Sequence, residues 1–193
     1  IRVGLVSASF TGDTTPFMAY GPSSGGPFQG MRFTVGINYG KDAGSDIPGD
    51  LLEYSLDARF YKQLTRRSQL AWRVAGVIGA GDRESYYSLG GINQLRGFEF
   101  REYFGPRVAW SNLELRFPLV EELRFPFGAF SSIRGFLFMD AGAGWFSDGT
   151  FFDPQGEFVQ FRSTPEFHFW DNDNSRLQDG RASYGMGFQF FFA

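Results

Sequence analysis

The sequence alternates between apolar and polar residues along several long stretches, and this pattern constrains the fold more than any other feature. From Met31 to Tyr39 every odd position is apolar and every even position is polar or glycine. The same alternation runs through residues 53–60 and 181–190. Successive side chains of a β-strand point to opposite faces of a sheet, whereas a helix repeats its apolar positions every three to four residues. The alternation therefore predicts strands with one apolar and one polar face.

Seven strands are predicted from this pattern and from the turn residues between them. They cover residues 1–10, 29–40, 51–64, 68–81, 107–119, 132–146 and 181–192, of which the fourth and sixth are apolar on both faces. A short polar turn at residues 65–68 joins two strands, and long loops occupy residues 40–50, 82–106 and 147–180. Short turns that alternate with long loops are typical of outer-membrane barrels. We treat residues 1–193 as one barrel region.

Three segments depart from the regular pattern. Residues 11–30 are rich in Gly, Pro and Ser and are too long for a periplasmic turn. Gly185 and Gly187, on the polar face of the last strand, could mark weak packing or a bend there. The loop at residues 147–180 is acidic and aromatic. It could cap the barrel mouth, enter the outer leaflet or contact a partner, but an ordinary external loop is the favoured reading.

A soluble β-sandwich also alternates, but its exposed face is rich in Lys, Glu and Thr and its core in branched aliphatic residues. In this chain the apolar faces are rich in Phe, Tyr and Met, while the opposite faces hold Gly, Ser, Asn, Gln and scattered Arg, Asp and Glu. Aromatic residues make up 19% of the sequence, and Lys occurs only at positions 41 and 62. The sequence contains no run of about 18 apolar residues, so no membrane-spanning helix is predicted. An all-β, antiparallel transmembrane barrel with a wet lumen is therefore favoured over a Phe-rich soluble β-domain.

Charge and composition narrow the function classes further. The 18 basic and 21 acidic residues give a net charge of −3, which argues against a nucleic-acid partner. The absence of Cys from the sequence excludes disulfides, thiolate metal sites and cysteine catalysis. We predict no cofactor and no metal.

Two other groups of residues could each form a functional site, but each also has a simpler interpretation. His168 is the only histidine of the chain, and Ser163 and Asp171 are near it in sequence, as an outer-membrane hydrolase would need. A loop residue within an aromatic cluster is the simpler reading of His168. Residues 171–174 read Asp-Asn-Asp-Asn, but they lack the Gly and the distal Glu of a calcium loop, so a solvated turn is favoured.

Three motifs follow one another in the middle of the chain. A long loop contains GG at residues 90–91 and LRGF at residues 95–98, residues 112–118 read NLELRFP, and residues 138–145 read FMDAGAGW. In this order the motifs resemble the C-terminal barrel of the bacterial surface antigen superfamily. That superfamily includes BamA-like and TamA-like assembly factors and two-partner-secretion transporters. The resemblance spans roughly residues 86–145, and residues 181–190 resemble the family's next strand.

The resemblance implies an integral protein of the bacterial outer membrane that inserts or translocates proteins. Its partners would be the lipid bilayer, client outer-membrane or secreted proteins, and assembly subunits or a second copy. The family's barrel has more strands than are predicted here, so the chain would form part of a larger barrel. The family's long loop folds back into the lumen, where its arginine meets acidic residues of the wall. By motif position, Arg96, Glu114 and Asp140 would form this lumen lock. The loop motif would comprise Gly90, Gly91, Gly97 and Phe98.

Residue chemistry supports this lock independently. Glu114 shares the polar face of its predicted strand with Asn112 and Arg116. One guanidinium can bind two carboxylates through its fork of donors. The alternative is that Arg96 lies on a solvated loop tip and contacts neither carboxylate.

Two further functions stay open beside protein insertion or translocation. A barrel of this family could be structural, anchoring an upstream enzyme or propeller domain without any transport activity. The third reading is the hydrolase that depends on His168. We expect no enzymatic activity.

Overall fold

The alternating segments form strands throughout a computed structural model that describes residues 3–16, 27, 29–42, 49–81, 85–120, 123–125, 128–146, 150–152, 158–160 and 168–192. The long strands are β1 (Val3–Asp13), β2 (Gly30–Asp42), β3 (Asp50–Gln63), β4 (Gln69–Gly79), β7 (Arg107–Val120), β9 (Gly128–Trp145) and β14 (Arg181–Phe192). The short ones are β5 (Tyr87–Leu89), β6 (Tyr103–Gly105), β8 (Leu123–Phe125), β10 (Thr150–Phe152), β11 (Phe158–Gln160), β12 (Trp170–Asp171) and β13 (Arg176–Leu177).

The seven long strands form one antiparallel sheet in the order β1-β2-β3-β4-β7-β9-β14, and β8 pairs with the start of β9. The three remaining pairs, β5–β6, β10–β11 and β12–β13, are separate hairpins. Within the described ranges β1 and β14 are the edges of the sheet, so it is open and no closed barrel is seen. No helix long and apolar enough to cross a bilayer occurs in the same ranges.

The prediction of an all-β, antiparallel chain with seven long strands is confirmed, with shifted bounds. β1 continues to Asp13 and β9 begins at Gly128, both beyond the predicted ends. The short strands within the predicted loops 82–106 and 147–180 were missed. They have only two or three residues each, which is too short for a period of two to be recognised.

Strand register separates the sheet into two chemically different faces. Residues directly opposite each other on neighbouring strands share a face. One row of the first face, here called the apolar face, reads Met31, Phe60, Trp72, Leu113, Met139 and Tyr184. The neighbouring row of the second face, here called the loop face, reads Arg32, Arg59, Arg73, Asn112, Asp140 and Ser183.

The apolar face carries large exposed side chains. Tyr184 and Met186 on β14 are 88% and 71% exposed, and Met139, Trp72 and further residues of this face are also exposed. The indole Nε1 of Trp72 donates a hydrogen bond to Ser111 Oγ at 2.8 Å, so its polar atom has a partner on this otherwise apolar surface. The exposed side chains leave this face free to contact an apolar environment.

The loop face is covered by the segment between β4 and β7. Leu89 and Leu95 of that segment are fully buried with Val108 of β7, and they form the central hydrophobic cluster. The partly buried residues packed against this cluster are Val77, Tyr87, Phe98, Tyr103 and Trp110. The long loop is therefore packed against the sheet by apolar contacts.

Connections at the two ends of the sheet differ in length. The turn between β3 and β4 is closed by the backbone N–H of Leu64, which donates to Ser68 O at 2.9 Å. Thr65 Oγ1 accepts hydrogen bonds from the backbone N–H groups of Arg67 and Ser68. The long connections after β4 and β9 leave the opposite end of the sheet. The connection between β1 and β2 lies at the end with the short turn, and its residues 17–26 lie outside the described ranges.

Candidate functional site

The loop reaches the sheet through a tight turn at residues 91–95. Gly91 O accepts hydrogen bonds from the backbone N–H groups of Gln94 and Leu95, at 3.2 and 3.0 Å. Gly90 and Gly91 have φ angles of 135° and 85°, in the region where a side chain is strained. Glycine at both positions therefore allows the chain to turn back towards the sheet.

Two other residues of the predicted loop motif fix the chain after this turn. Gly97 has a φ of 85°, and a Cβ atom there would lie 3.3 Å from Ser183 Cβ on β14. Phe98 packs edge-on against Tyr103, with ring centroids 5.5 Å apart. Arg96, between the apolar anchors Leu95 and Phe98, directs its side chain towards β7 and β9.

The structure brings Arg96, Glu114 and Asp140 together, and we call them the Arg96 cluster. Arg96 Nε donates to Asp140 Oδ2 and Arg96 Nη2 donates to Asp140 Oδ1, both at 2.7 Å. The backbone N–H of Arg96 also donates to Asp140 Oδ2, at 3.1 Å. Arg96 Nη1 donates to Glu114 Oε1 at 2.5 Å. One guanidinium thus joins two strands through separate carboxylates.

Burial makes the charges of this cluster depend on one another. The side chains of Arg96 and Glu114 are 13% and 18% exposed, and Asp140 is fully buried. Arg116 also donates to Glu114 Oε2, from Nε at 2.8 Å and from Nη2 at 2.6 Å. Two guanidiniums therefore balance two carboxylates. A buried charge that lost its partner would be strongly destabilising.

Sequence reasoning missed the aromatic floor of the cluster. The Phe138 ring centroid lies 3.9 Å from Arg96 Cζ, within the range of a cation–π contact. The same ring fills the space beside Gly185 of β14, and Phe136 does so beside Gly187. The rings occupy the space that a Cβ at either glycine would need, so the expectation of weak packing there is wrong, and β14 keeps its register at both positions. The available signal in the sequence was that this strand carries Phe on the face where the other strands carry polar residues.

A second ion cluster lies on the same face and was also missed. We call Asp57, Arg59 and Arg73 the Asp57 cluster. Arg59 donates to both carboxylate oxygens of Asp57 at 3.1 Å, and Arg73 does so at 3.2 and 2.7 Å. Here one carboxylate lies between two guanidiniums.

His168 and residues 171–174, considered for hydrolysis and for calcium, lie in or beside the β12–β13 hairpin. The backbone N–H of His168 donates to Asp179 Oδ2 at 3.0 Å, and Ser163 lies outside the described residues. Asp171 accepts hydrogen bonds from the backbone N–H groups of Asp173 and Asn174 and from Asn174 Nδ2. These bonds form a closed turn, and those with Asn174 hold the pKa of Asp171 below its ordinary value. No group of three or more metal-ligating side chains occurs in the described ranges.

The chain is thus an all-β protein whose antiparallel sheet has one exposed apolar face and carries a loop held over an ion cluster on the other face. The Omp85 superfamily domain matches residues 23–191. The chain belongs to the Omp85 superfamily, as the resemblance of its three motifs implied. This is a superfamily of outer-membrane proteins that includes transporters and assembly factors. No match was found among curated proteins or among solved structures.

Proposed function

We propose that this chain forms part of a transmembrane β-barrel that inserts or translocates proteins at the bacterial outer membrane. The observation that carries this proposal is the apolar face, read together with membership of the Omp85 superfamily. Apolar side chains occupy one register row across β2, β3, β4, β7, β9 and β14 without interruption. A continuous exposed apolar surface of this kind marks an interaction with lipid or with another protein.

The bilayer also explains why the opposite face is polar. In a transmembrane barrel, lipid-facing residues alternate with residues that face a polar lumen. The loop face carries Arg, Asp, Asn, Glu and Ser in its central rows, and it is the face that the loop covers. Backbone groups in lipid must be paired, so in the membrane the free edges of β1 and β14 would each require a partner strand.

The proposed role of the Arg96 cluster is to hold the long loop inside the lumen in one working arrangement. Its contacts link residue 96 to residues 18 and 44 positions later in the chain. Loss of Arg96 would leave the carboxylate of Asp140 buried without its guanidinium partner. The cluster is therefore proposed to stabilise the barrel and has no chemical step of its own.

The apolar face can be tested directly with tryptophan quenching. Trp72 lies on the apolar face and Trp110 on the loop face of the same sheet. In full-length protein reconstituted into vesicles with brominated acyl chains, a variant that retains only Trp72 should be strongly quenched. A variant that retains only Trp110 should be quenched much less. Equal quenching of the two would contradict the assignment of the faces.

The activity is tested by reconstituting the full-length protein and measuring insertion or translocation of an outer-membrane client. We expect Arg96→Ala to lower client assembly and Arg59→Gln to leave it near the parent level. The charge reversal Arg96→Glu should be worse than Arg96→Ala, and a compensating Asp140→Arg should restore part of the loss. A parent protein that forms a closed barrel but neither inserts nor translocates a client would favour the anchoring function. An Arg96→Ala variant with native activity would contradict the proposed lumen lock.

A further inference from the structure

One row of the loop face meets the backbone of the loop at three consecutive strands. Arg73 on β4, Asn112 on β7 and Asp140 on β9 lie directly opposite one another in the sheet. Arg73 Nη1 donates to Asn93 O at 3.2 Å, and Asn112 Nδ2 donates to Gln94 O at 2.6 Å. The loop backbone therefore crosses the three strands along this row, with one contact to each strand.

The third contact of this row belongs to Arg96 itself. Its backbone N–H donates to Asp140 Oδ2 at 3.1 Å, and its side chain binds the same carboxylate. The loop therefore presents two carbonyl oxygens and then one N–H group to two donors and then one acceptor. The three contacts thus hold residues 93, 94 and 96 of the loop side by side along this row, next to the carboxylate that the Arg96 side chain binds.

The donor on β4 is itself held in place. Two nitrogens of Arg73 bind the carboxylate of Asp57, and its guanidinium carbon lies 5.4 Å from the centroid of the Trp110 ring. Only the third nitrogen, Nη1, reaches the loop. The guanidinium is thus oriented by the sheet before it meets Asn93 O.

The tip of the loop has space beside it. A cavity of about 220 Å³ lies between Ile92 and Asn93 of the loop and side chains of the sheet, among them Arg59 and Tyr61. Ile92 is 82% exposed, so close packing does not hold the tip. Beside this cavity, hydrogen bonds from Arg73 to Asn93 O and from Asn112 to Gln94 O join the tip to the sheet.

We propose that Arg73 and Asn112 are positioning residues that hold the loop tip in register, so that Arg96 enters between Asp140 and Glu114. The loop is then held by two separable devices, a tip grip formed by Arg73 and Asn112 and the buried Arg96 cluster. This inference rests on the proposed function, because it gives that function's loop a defined entry into its working arrangement. It adds that the tip can detach while Arg96 remains bound.

The test compares two arginines that differ in one contact. Arg59 and Arg73 lie directly opposite each other, and both bind Asp57 with two nitrogens, but the hydrogen bond to Asn93 O comes from Arg73. A nitroxide spin label at Ile92→Cys in the full-length protein, in vesicles, reports motion of the tip. Arg73→Gln should raise the mobile fraction about tenfold, as expected for the loss of one charge-assisted hydrogen bond. Asn112→Ala should also raise it, and Arg59→Gln should leave it unchanged.

The outcomes separate this inference from the proposed function. Equal mobility in Arg73→Gln and Arg59→Gln would overturn the grip, because the two variants share the loss of one Asp57 partner. Arg96→Gln measures the cluster independently through client assembly and unfolding. If Arg96→Gln changes neither client assembly nor unfolding but Arg73→Gln makes the label more mobile, the proposed lumen lock is contradicted and the tip grip is supported. In Arg73→Gln, a more mobile label with an unchanged midpoint of unfolding would identify Arg73 as a positioning residue. A merely structural role of Arg73 would lower the midpoint as well.

Discussion

The Arg96 cluster and the Asp57 cluster are opposite arrangements of the same three-charge unit. The first places one guanidinium between two carboxylates, and the second places one carboxylate between two guanidiniums. Asp140 of the first cluster is fully buried, whereas Asp57, Arg59 and Arg73 of the second are 32%, 41% and 27% exposed. The two clusters therefore use the same chemistry in different surroundings.

The difference teaches that burial and chain separation, rather than the number of ion pairs, decide what a cluster does. The Asp57 cluster joins β3 to β4, which are already paired along their length. Water screens its exposed charges, so each pair is expected to contribute about 0–1 kcal/mol. The Arg96 cluster joins a distant loop to β7 and β9, and its charges have little water to replace a lost partner. Four predictions test this comparison.

Arg96→Gln should have the largest effect, because it leaves the buried carboxylate of Asp140 without its guanidinium. We expect a loss of about 3–5 kcal/mol in the free energy of unfolding, as for other broken buried ion pairs. Arg59→Gln is the matched control and should cost less than about 1 kcal/mol, because Asp57 keeps Arg73. Urea unfolding followed by tryptophan fluorescence measures both. Equal losses would show that the two clusters do not differ as proposed.

The two carboxylates of the Arg96 cluster should not be equivalent. Asp140→Asn weakens three hydrogen bonds from Arg96, whereas Glu114→Gln weakens one and affects Arg116 as well. We expect Asp140→Asn to cost about 2–3 kcal/mol and Glu114→Gln about 1–2 kcal/mol, on the scale of hydrogen bonds to charged groups. In the double variant Arg96→Gln with Asp140→Asn, part of the single-variant loss should return, since no buried charge is left alone. Additive losses in this double-mutant cycle would contradict direct coupling of the two residues.

The clusters also differ in how closely an aromatic ring approaches the guanidinium, because Phe138 lies 3.9 Å from Arg96 Cζ whereas Trp110 lies 5.4 Å from Arg73 Cζ. Phe138→Leu should cost about 1–2 kcal/mol, because it removes the cation–π contact with Arg96 while keeping an apolar side chain beside Gly185. Phe136→Leu is the control, since the Phe136 ring lies 5.8 Å from Arg96 Cζ and covers Gly187 in the same way. The same urea titration reports both variants. A larger loss for Phe136→Leu would show that ring packing on glycine, and not contact with Arg96, sets the effect.

Local alternation, together with the turn residues, predicted the seven long strands, because a period of two is set by neighbours in sequence. The alternation also predicted the faces of β7. It placed Glu114 and Arg116 on one face and Leu113 and Leu115 on the other, and the register confirms this. The resemblance pointed to the three residues that the structure brings together in the Arg96 cluster. Their role as a lumen lock stays a prediction.

Register between distant strands could not be read from the sequence, and the missed contacts depend on it. Arg73 and Asn112 meet only because β4 pairs with β7 in one alignment, and their hydrogen bonds go to carbonyl groups that every residue has. Phe138 and Gly185 meet only through the pairing of β9 with β14. Glycine read alone indicates a weak position, whereas glycine opposite a phenylalanine is a place where the ring can lie.

The carboxylate of Asp171, outside both clusters, gives the smallest predicted effect and sharpens the comparison, because a turn rather than a buried ion pair holds it. The pKa of Asp171 is lowered first by the side-chain hydrogen bond from Asn174, then by backbone N–H groups, with Arg176 Nε at 3.6 Å adding a weaker contribution. The ionised carboxylate therefore stabilises the hairpin at pH values above its ordinary pKa of 3.8, and this stabilisation is lost as the pH falls through the lowered pKa.

Acid titration of the amide resonances of Asp173 and Asn174 in the full-length protein should show this transition below the ordinary carboxyl range. Asp171→Asn should abolish it while leaving the turn formed at neutral pH, and Asp179→Asn separates the nearby carboxylate that binds the His168 backbone. The loop at Arg96 should not respond to Asp171→Asn, because a local turn has no connection to the buried cluster. A change in the mobility of a label at Ile92 in that variant would show that the two loops are coupled. The Arg96 cluster would then not be independent of the turn at Asp171.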